Sequence, residues 1–212
     1  MTHTLHRVGS VENLKNDWVI LCMPSKDINH VGSAPKLKRF FELSEKNHCV
    51  TMGDCRGGNE YYQGSRRKMI ETVEDRAVIT AVFNCEEDVV NMLTDLKKED
   101  LGMSVVVSGL TDRAKECCCK SGLKPHTVEH SLGRWGETDK LPPSEILEIS
   151  TMCGHSMVAV NLIYKMIEQV KKGKMTSAEA AQELFKPCMC GIFNTDRAEK
   201  LIDAIVEKEK KD

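Results

Sequence analysis

Cys153-Gly154-His155 and Cys188-Met189-Cys190-Gly191 are two short groups that set sulfur beside glycine and, in the first, beside imidazole. Thiolate is the form of cysteine that binds metal or attacks an electrophile. Glycine next to it leaves room for a ligand or cluster to approach the backbone closely. Each group reads as a loop-to-helix junction, where free backbone N–H groups and the positive end of the helix dipole favour thiolate over thiol. If the flanking helices pack side by side, the three thiolates of Cys153, Cys188 and Cys190 converge. The leading expectation is an iron–sulfur cluster on these three cysteines, with a fourth position for His155, another cysteine or a substrate. Zinc in a Cys₃His site with His155 is the alternative, although one-residue spacing is tighter than such sites usually show. The plain reading is a set of reduced thiols packed as small apolar groups at tight turns. A thiol-redox pair of Cys188 and Cys190 ranks below metal, because it gives Cys153 and His155 no role.

Other chemistry-bearing residues are more scattered. Cys117-Cys118-Cys119 fan over about 200° of a helix and cannot share one ion; Cys117 and Cys118 read as core and Cys119 as pointing elsewhere. Cys22 and Cys85 sit in or beside strands and read as core. Gly53-Asp54-Cys55-Arg56-Gly57-Gly58-Asn59 reads as a surface loop whose Arg56, with the backbone of Gly57 and Gly58, would hold an anion. Arg134 and Trp135 lie in a glycine-flanked linker; Arg134 is a second candidate for orienting an anionic ligand, and Trp135 reads as an anchor to the core. Thr111 and Asp112 would border a crevice after the strand ending near Ser108. His126 and His130 read as polar-face residues, and no Ser-His-Asp set or carboxylate pair can be assigned.

The elements that must position these groups come from hydrophobic periodicity. Asp17 to Met23, Cys49 to Met52, Ala77 to Phe83 and Met103 to Val107 read as strands, with Pro125 to His130 as a further one. Helices are expected after Ser33, from Ser65 to Val73, after Asn84 as cap with Glu87 three residues on, and from Thr111 to Ser121. Strands alternating with helices predict an α/β body over 1–140 with a mainly parallel or mixed sheet flanked by helices; a ferredoxin-like split β-α-β arrangement is the runner-up. From 141 to 212 no strand-like run occurs, and a helical cysteine-bearing segment is expected, with a capping box at Thr176 to Glu179.

Composition narrows the function classes. Thirty lysines and arginines against 32 aspartates and glutamates give no bulk positive field, which argues against nucleic acid as a partner. No apolar run approaches the ~20 residues of a membrane helix. The cysteines have no small-domain disulfide pattern and the N-terminus lacks a signal core, so a reducing cytoplasmic setting is expected. The expected function is a metal–sulfur protein, as a lyase or desulfurase-type enzyme with an open iron acting on a small anionic substrate. The competing classes are an electron or cluster carrier that meets a redox partner protein, and a zinc-stabilised α/β protein that binds a small ligand.

Overall fold

A computed structural model describes residues 2–209. The chain begins with a 3-10 turn, Thr2–Thr4, and helix α1 (Val11–Leu14). Five strands follow among the described residues: β1 (Trp18–Met23), β2 (Met52–Asp54), β3 (Gly58–Asn59), β4 (Ile79–Phe83) and β5 (Ser104–Ser108). Between them run α2 (Ala34–Lys46), α3 (Glu60–Gln63), α4 (Arg66–Glu71) and α5 (Glu86–Glu99). After β5 come α6 (Thr111–Lys120), α7 (Ser144–Ser150), α8 (Val160–Lys171), α9 (Ser177–Phe185) and α10 (Thr195–Glu209).

The strands lie in the order β3-β2-β4-β1-β5, and every adjacent pair is antiparallel. This overturns the expected mainly parallel or mixed sheet. Alternation of strand and helix does make β1 and β2 run the same way, and likewise β4 and β5. It does not make them neighbours. β4 inserts between β1 and β2, and β1 between β4 and β5, so both crossovers skip a strand and every contact becomes antiparallel.

The sheet is covered on both faces. Trp18, Ile20 and Cys22 of β1 and Ile79, Ala81 and Phe83 of β4 pack with Leu37, Phe40 and Phe41 of α2 and with Val89, Met92 and Leu93 of α5. Val19 and Val82 point the other way, against Ile149, Ile163, Ile167, Leu184, Phe185, Phe193 and Ile202 of the C-terminal helices. Two-sided burial explains why β1 reads as a continuous apolar run rather than an alternating one. Helix α9 opens with the capping box at Thr176 and Glu179. Asn194 caps α10, its Oδ1 accepting from Arg197 N at 3.0 Å.

Several local expectations are corrected. Gly53 does not open a surface loop: it and Asp54 continue β2, and Gly58–Asn59 return as β3, so the glycines make a tight, largely buried hairpin. Pro125 to His130 forms no strand, since it finds no ladder partner. Cys85, not Asn84, precedes the first turn of α5 and is exposed rather than core. Trp135 is 86% exposed and anchors nothing. Cys153 lies in the α7–α8 loop, separated from the first turn of α8 by Gly154 to Ala159.

Candidate metal–sulfur centre

Cys153 leaves the end of α7 in a turn closed by Ser156 N to Cys153 O at 3.0 Å. Cys188 and Cys190 occupy the turn between α9 and α10, where Cys188 N bonds Phe185 O at 2.9 Å and Gly191 N bonds Cys188 O at 3.0 Å. This second turn sits directly on the sheet. A Cβ on Gly53 would lie 2.6 Å from the Cys190 carbonyl carbon, and one on Gly191 would lie 2.3 Å from the Met52 carbonyl. Gly191 also holds φ +74°, a conformation that favours glycine. Side chains from the sheet satisfy the turn's carbonyls. Asn59 Nδ2 donates to Cys188 O at 2.9 Å, Thr51 Oγ1 donates to Gly191 O and Phe193 O at 3.0 Å each, and Thr80 Oγ1 donates to Cys190 O. Buried carbonyls without such partners would be costly, so these three polar side chains fix the turn on the sheet.

The N-terminal segment closes the arrangement. The backbone of His3 presses on Gly154, where any Cβ would fall 1.6 Å from the His3 carbonyl oxygen. Arg7 is buried and donates from Nη2 to Met152 O at 3.3 Å and to Ile192 O, so one guanidinium ties the residue before Cys153 to the second residue after Cys190. Its Nη1 pairs with buried Asp17. Arg197 Nη1 pairs with the same carboxylate at 2.7 Å, and its Nη2 donates to Val8 O at 2.6 Å.

Four thiols meet there in a row. Cys188 lies within interaction range of both Cys153 and Cys190, and Cys55, at the tip of the β2–β3 hairpin, within range of Cys190. Two of these thiols are pushed up: Cys188 by Cys153, Cys190 and burial, and Cys55 by Cys190, burial and Asp54. Cys190 is held far below its ordinary range by Cys188, Cys55, His3 and the Ile192 N–H, against the cost of burial. Cys153 falls to about 6, through Cys188 and then the N–H groups of Met157, Val158 and His155. The surroundings of Cys153 and Cys190 thus favour thiolate, and those of Cys188 and Cys55 favour thiol.

Two imidazoles complete the cluster. His155 Nδ1 stands 3.6 Å from Cys190 Sγ, and the rings of His3 and His155 stack at 4.4 Å. One ligand atom each from His3, His155 and Cys190 lie within 4.8 Å of one another. His3 Nε2 is buried and has no regular hydrogen-bond partner. No protein-family model, curated protein or solved structure matches this chain.

The sequence-predicted ligands Cys153, Cys188, Cys190 and His155 are therefore brought to one place, with Cys188 between the other two sulfurs. Cys55 and His3 join them, and spacing gave no sign of either. The only trace of Cys55 was its position among glycines, which permit close backbone approach. Arg56 is exposed, with its N–H bonded to Asp54 Oδ1 at 2.8 Å. Gly57 faces Gln63 and Asp54, and Gly58 faces Tyr62, so the space expected for an anion is taken by side chains. Arg134 lies along the linker beside α7, in an open depression with Thr138, Leu141 and Pro142. Among the described residues no hydrogen bond joins the Arg56 or Arg134 side chain to the thiols. Cys117 is buried, Cys118 half-buried and Cys119 exposed on α6, and Cys22 is core. No helix among the described residues is long and apolar enough to cross a membrane.

Proposed function

We propose that this is a metal–sulfur protein with its centre at Cys190. The observation that carries the reading is the meeting of four thiols and two imidazoles from four separate chain segments, on a turn that the sheet holds fixed. Thiolate and imidazole together select zinc or iron over hard cations. In a tetrahedral site with metal–sulfur and metal–nitrogen bonds of ordinary length, the nitrogen-to-sulfur edge is ~3.5 Å; His155 and Cys190 are 3.6 Å apart. A single ion held by Cys190, His155, His3 and one of Cys188 or Cys55 is the reading this spacing favours. A second reading, an iron–sulfur cluster, is favoured by the number of thiols, since one ion leaves sulfurs of the row unused. A bound metal would supply Lewis acidity or redox chemistry. The chain's own part is to give up the thiol proton of each cysteine that becomes a ligand, Cys188 or Cys55 in the single-ion reading, so that metal uptake releases protons.

The experiment is anaerobic purification followed by iron, zinc and sulfide analysis and a visible absorption spectrum. Stoichiometric metal that is lost in Cys190→Ala and kept in Cys119→Ser supports the proposal. Zinc or colourless iron without sulfide selects the single ion, and sulfide with charge-transfer absorbance selects the cluster. A folded protein that stays metal-free after reconstitution with zinc, and with iron and sulfide, overturns both.

A further inference from the structure

β5 is an edge strand whose outward side is unpaired. Its neighbour β1 bonds it in the register Val19 with Ser108, Leu21 with Val106 and Met23 with Ser104. Which backbone groups face out follows from the ladder. Val82 N bonds Thr51 O and Val82 O accepts from Val50 N, so Val82 points toward the β2 side, and Phe83, Ala81 and Ile79 point to β1. Their partners Trp18, Ile20 and Cys22 then face β4, which leaves Val19, Leu21 and Met23 to face β5. Ser104, Val106 and Ser108 are consequently bonded to β1, and the N–H and C=O groups of Val105 and Val107 point away from the sheet. Among the described residues no hydrogen bond reaches them.

Two features make this edge unlike one built to stay single. It carries no charge, proline or bulge, the usual devices against edge-to-edge pairing. Its sequence, Ser104-Val105-Val106-Val107-Ser108, reads the same in both directions. An antiparallel partner related by a two-fold axis through Val106 sets Val105 opposite Val107 of the other copy and Ser104 opposite Ser108. Val105 and Val107 are the residues with free outward groups, so the axis falls on a non-hydrogen-bonded pair and the two copies exchange four backbone hydrogen bonds. A register shifted by one residue in either strand loses that match.

A five-residue ribbon buries less than the roughly 1,200 Å² of a specific interface. The linker after α6 supplies more apolar surface. Val128, Leu132 and Trp135 are 57%, 85% and 86% exposed, and Thr111 Oγ1 lies 3.3 Å from His130 Nδ1, which keeps this stretch beside the start of α6, just past the end of β5. Large apolar side chains left in water next to an open edge mark a surface meant to be covered.

We propose that β5 pairs with β5 of a second copy of this chain, across a two-fold axis at Val106, joining two five-stranded sheets into one, with Val128, Leu132 and Trp135 covered at the flanks. The inference does not depend on the metal centre.

Light scattering on size-exclusion peaks over a wide range of concentration should give twice the chain mass. Val106→Arg and Val106→Glu each place like charges opposite one another at the axis and should give single chains, and a mixture of the two should restore the doubled mass. Amide exchange gives a readout that needs no variant: the N–H groups of Val105 and Val107 should be protected in concentrated protein and exposed on dilution, while those of Val106 and Ser108 stay constant. Trp135 emission should shift to the blue on association. Wild-type protein of single-chain mass at every concentration overturns the proposal, even if the edge later proves to take a strand from a different protein. A dimer that survives both charged variants, or a mixture that fails to re-form it, overturns it equally.

Discussion

Arg7 ties the two cysteine turns together, and its removal should be costly. Its guanidinium is buried, pairs with Asp17, and donates to the carbonyls of Met152 and Ile192 on either side of the cysteine row. Replacement by methionine keeps the aliphatic bulk and removes the donors. Asp17 retains Arg197 at 2.7 Å and Asn194 Nδ2 at 3.2 Å, so its carboxylate is not left alone. The loss falls instead on the two carbonyls, each left without a donor at ~1–3 kcal/mol. Part of that is recovered, because methionine fills the space without a charge to desolvate. A net cost of about 3 kcal/mol follows, a large share of a stability of roughly 5–15 kcal/mol. With a urea slope of about 2 kcal/mol per M, the unfolding midpoint of Arg7→Met should fall by about 1.5 M at unchanged slope. The same variant should weaken metal retention, because both cysteine turns lose their common tie. Arg39→Met is the control: its partners Glu42 and Glu99 lie near solvent, and its midpoint should move little. An Arg7→Met midpoint within error of Arg39→Met would show that the guanidinium is not what joins the two turns.

Gly191→Ala should destabilise the chain and reduce metal content together, since the added methyl meets the Met52 carbonyl at 2.3 Å in a left-handed backbone; urea unfolding and metal analysis report both. Thr80→Val, which keeps the shape but removes the donor to Cys190 O, should lower the stability by about 1–3 kcal/mol, read by the same unfolding curve. Asp75 receives the N–H groups of Ala34 and Gly32, both at 2.7 Å, and these hold its carboxyl below the ordinary 3.8. A carboxyl depressed in the folded state gives stability that is complete above the unfolded value and lost as pH falls through the folded one. Stability should therefore drop below pH 3.8 in the wild type and drop less in Asp75→Asn, as acid unfolding followed by circular dichroism would show. Alkylation of the folded protein should mark Cys85 and Cys119 first, because both are exposed while Cys22, Cys117 and Cys188 are buried; mass spectrometry of digests gives the order.

Much of the local structure was legible because it depends on neighbours in the chain. Trp18 to Met23 is a continuous apolar run, Leu37, Phe40 and Phe41 repeat at helical spacing, and Thr176 with Glu179 closes a cap within one turn. Sequence spacing also picked out the two cysteine turns, since glycine beside cysteine is a local feature. Local rules failed where the partner was distant. Pro125 to His130 has strand-like residues but joins no ladder, and Gly53 reads as a breaker until Cys190 and Gly191 are seen against it.

What the sequence alone determined is an alternation of strands and helices followed by a helical cysteine-bearing stretch, because periodicity and capping act over a few residues. Only the tertiary structure decided which strands are neighbours and which donors meet. The order β3-β2-β4-β1-β5 follows from two skipped strands that no local pattern encodes. Cys55 and His3 reach Cys190 from segments more than a hundred residues away, brought there by the packing of hairpin, turn and N-terminal segment. Contacts of that range depend on how buried surfaces close over one another, and spacing along the chain carries no record of it.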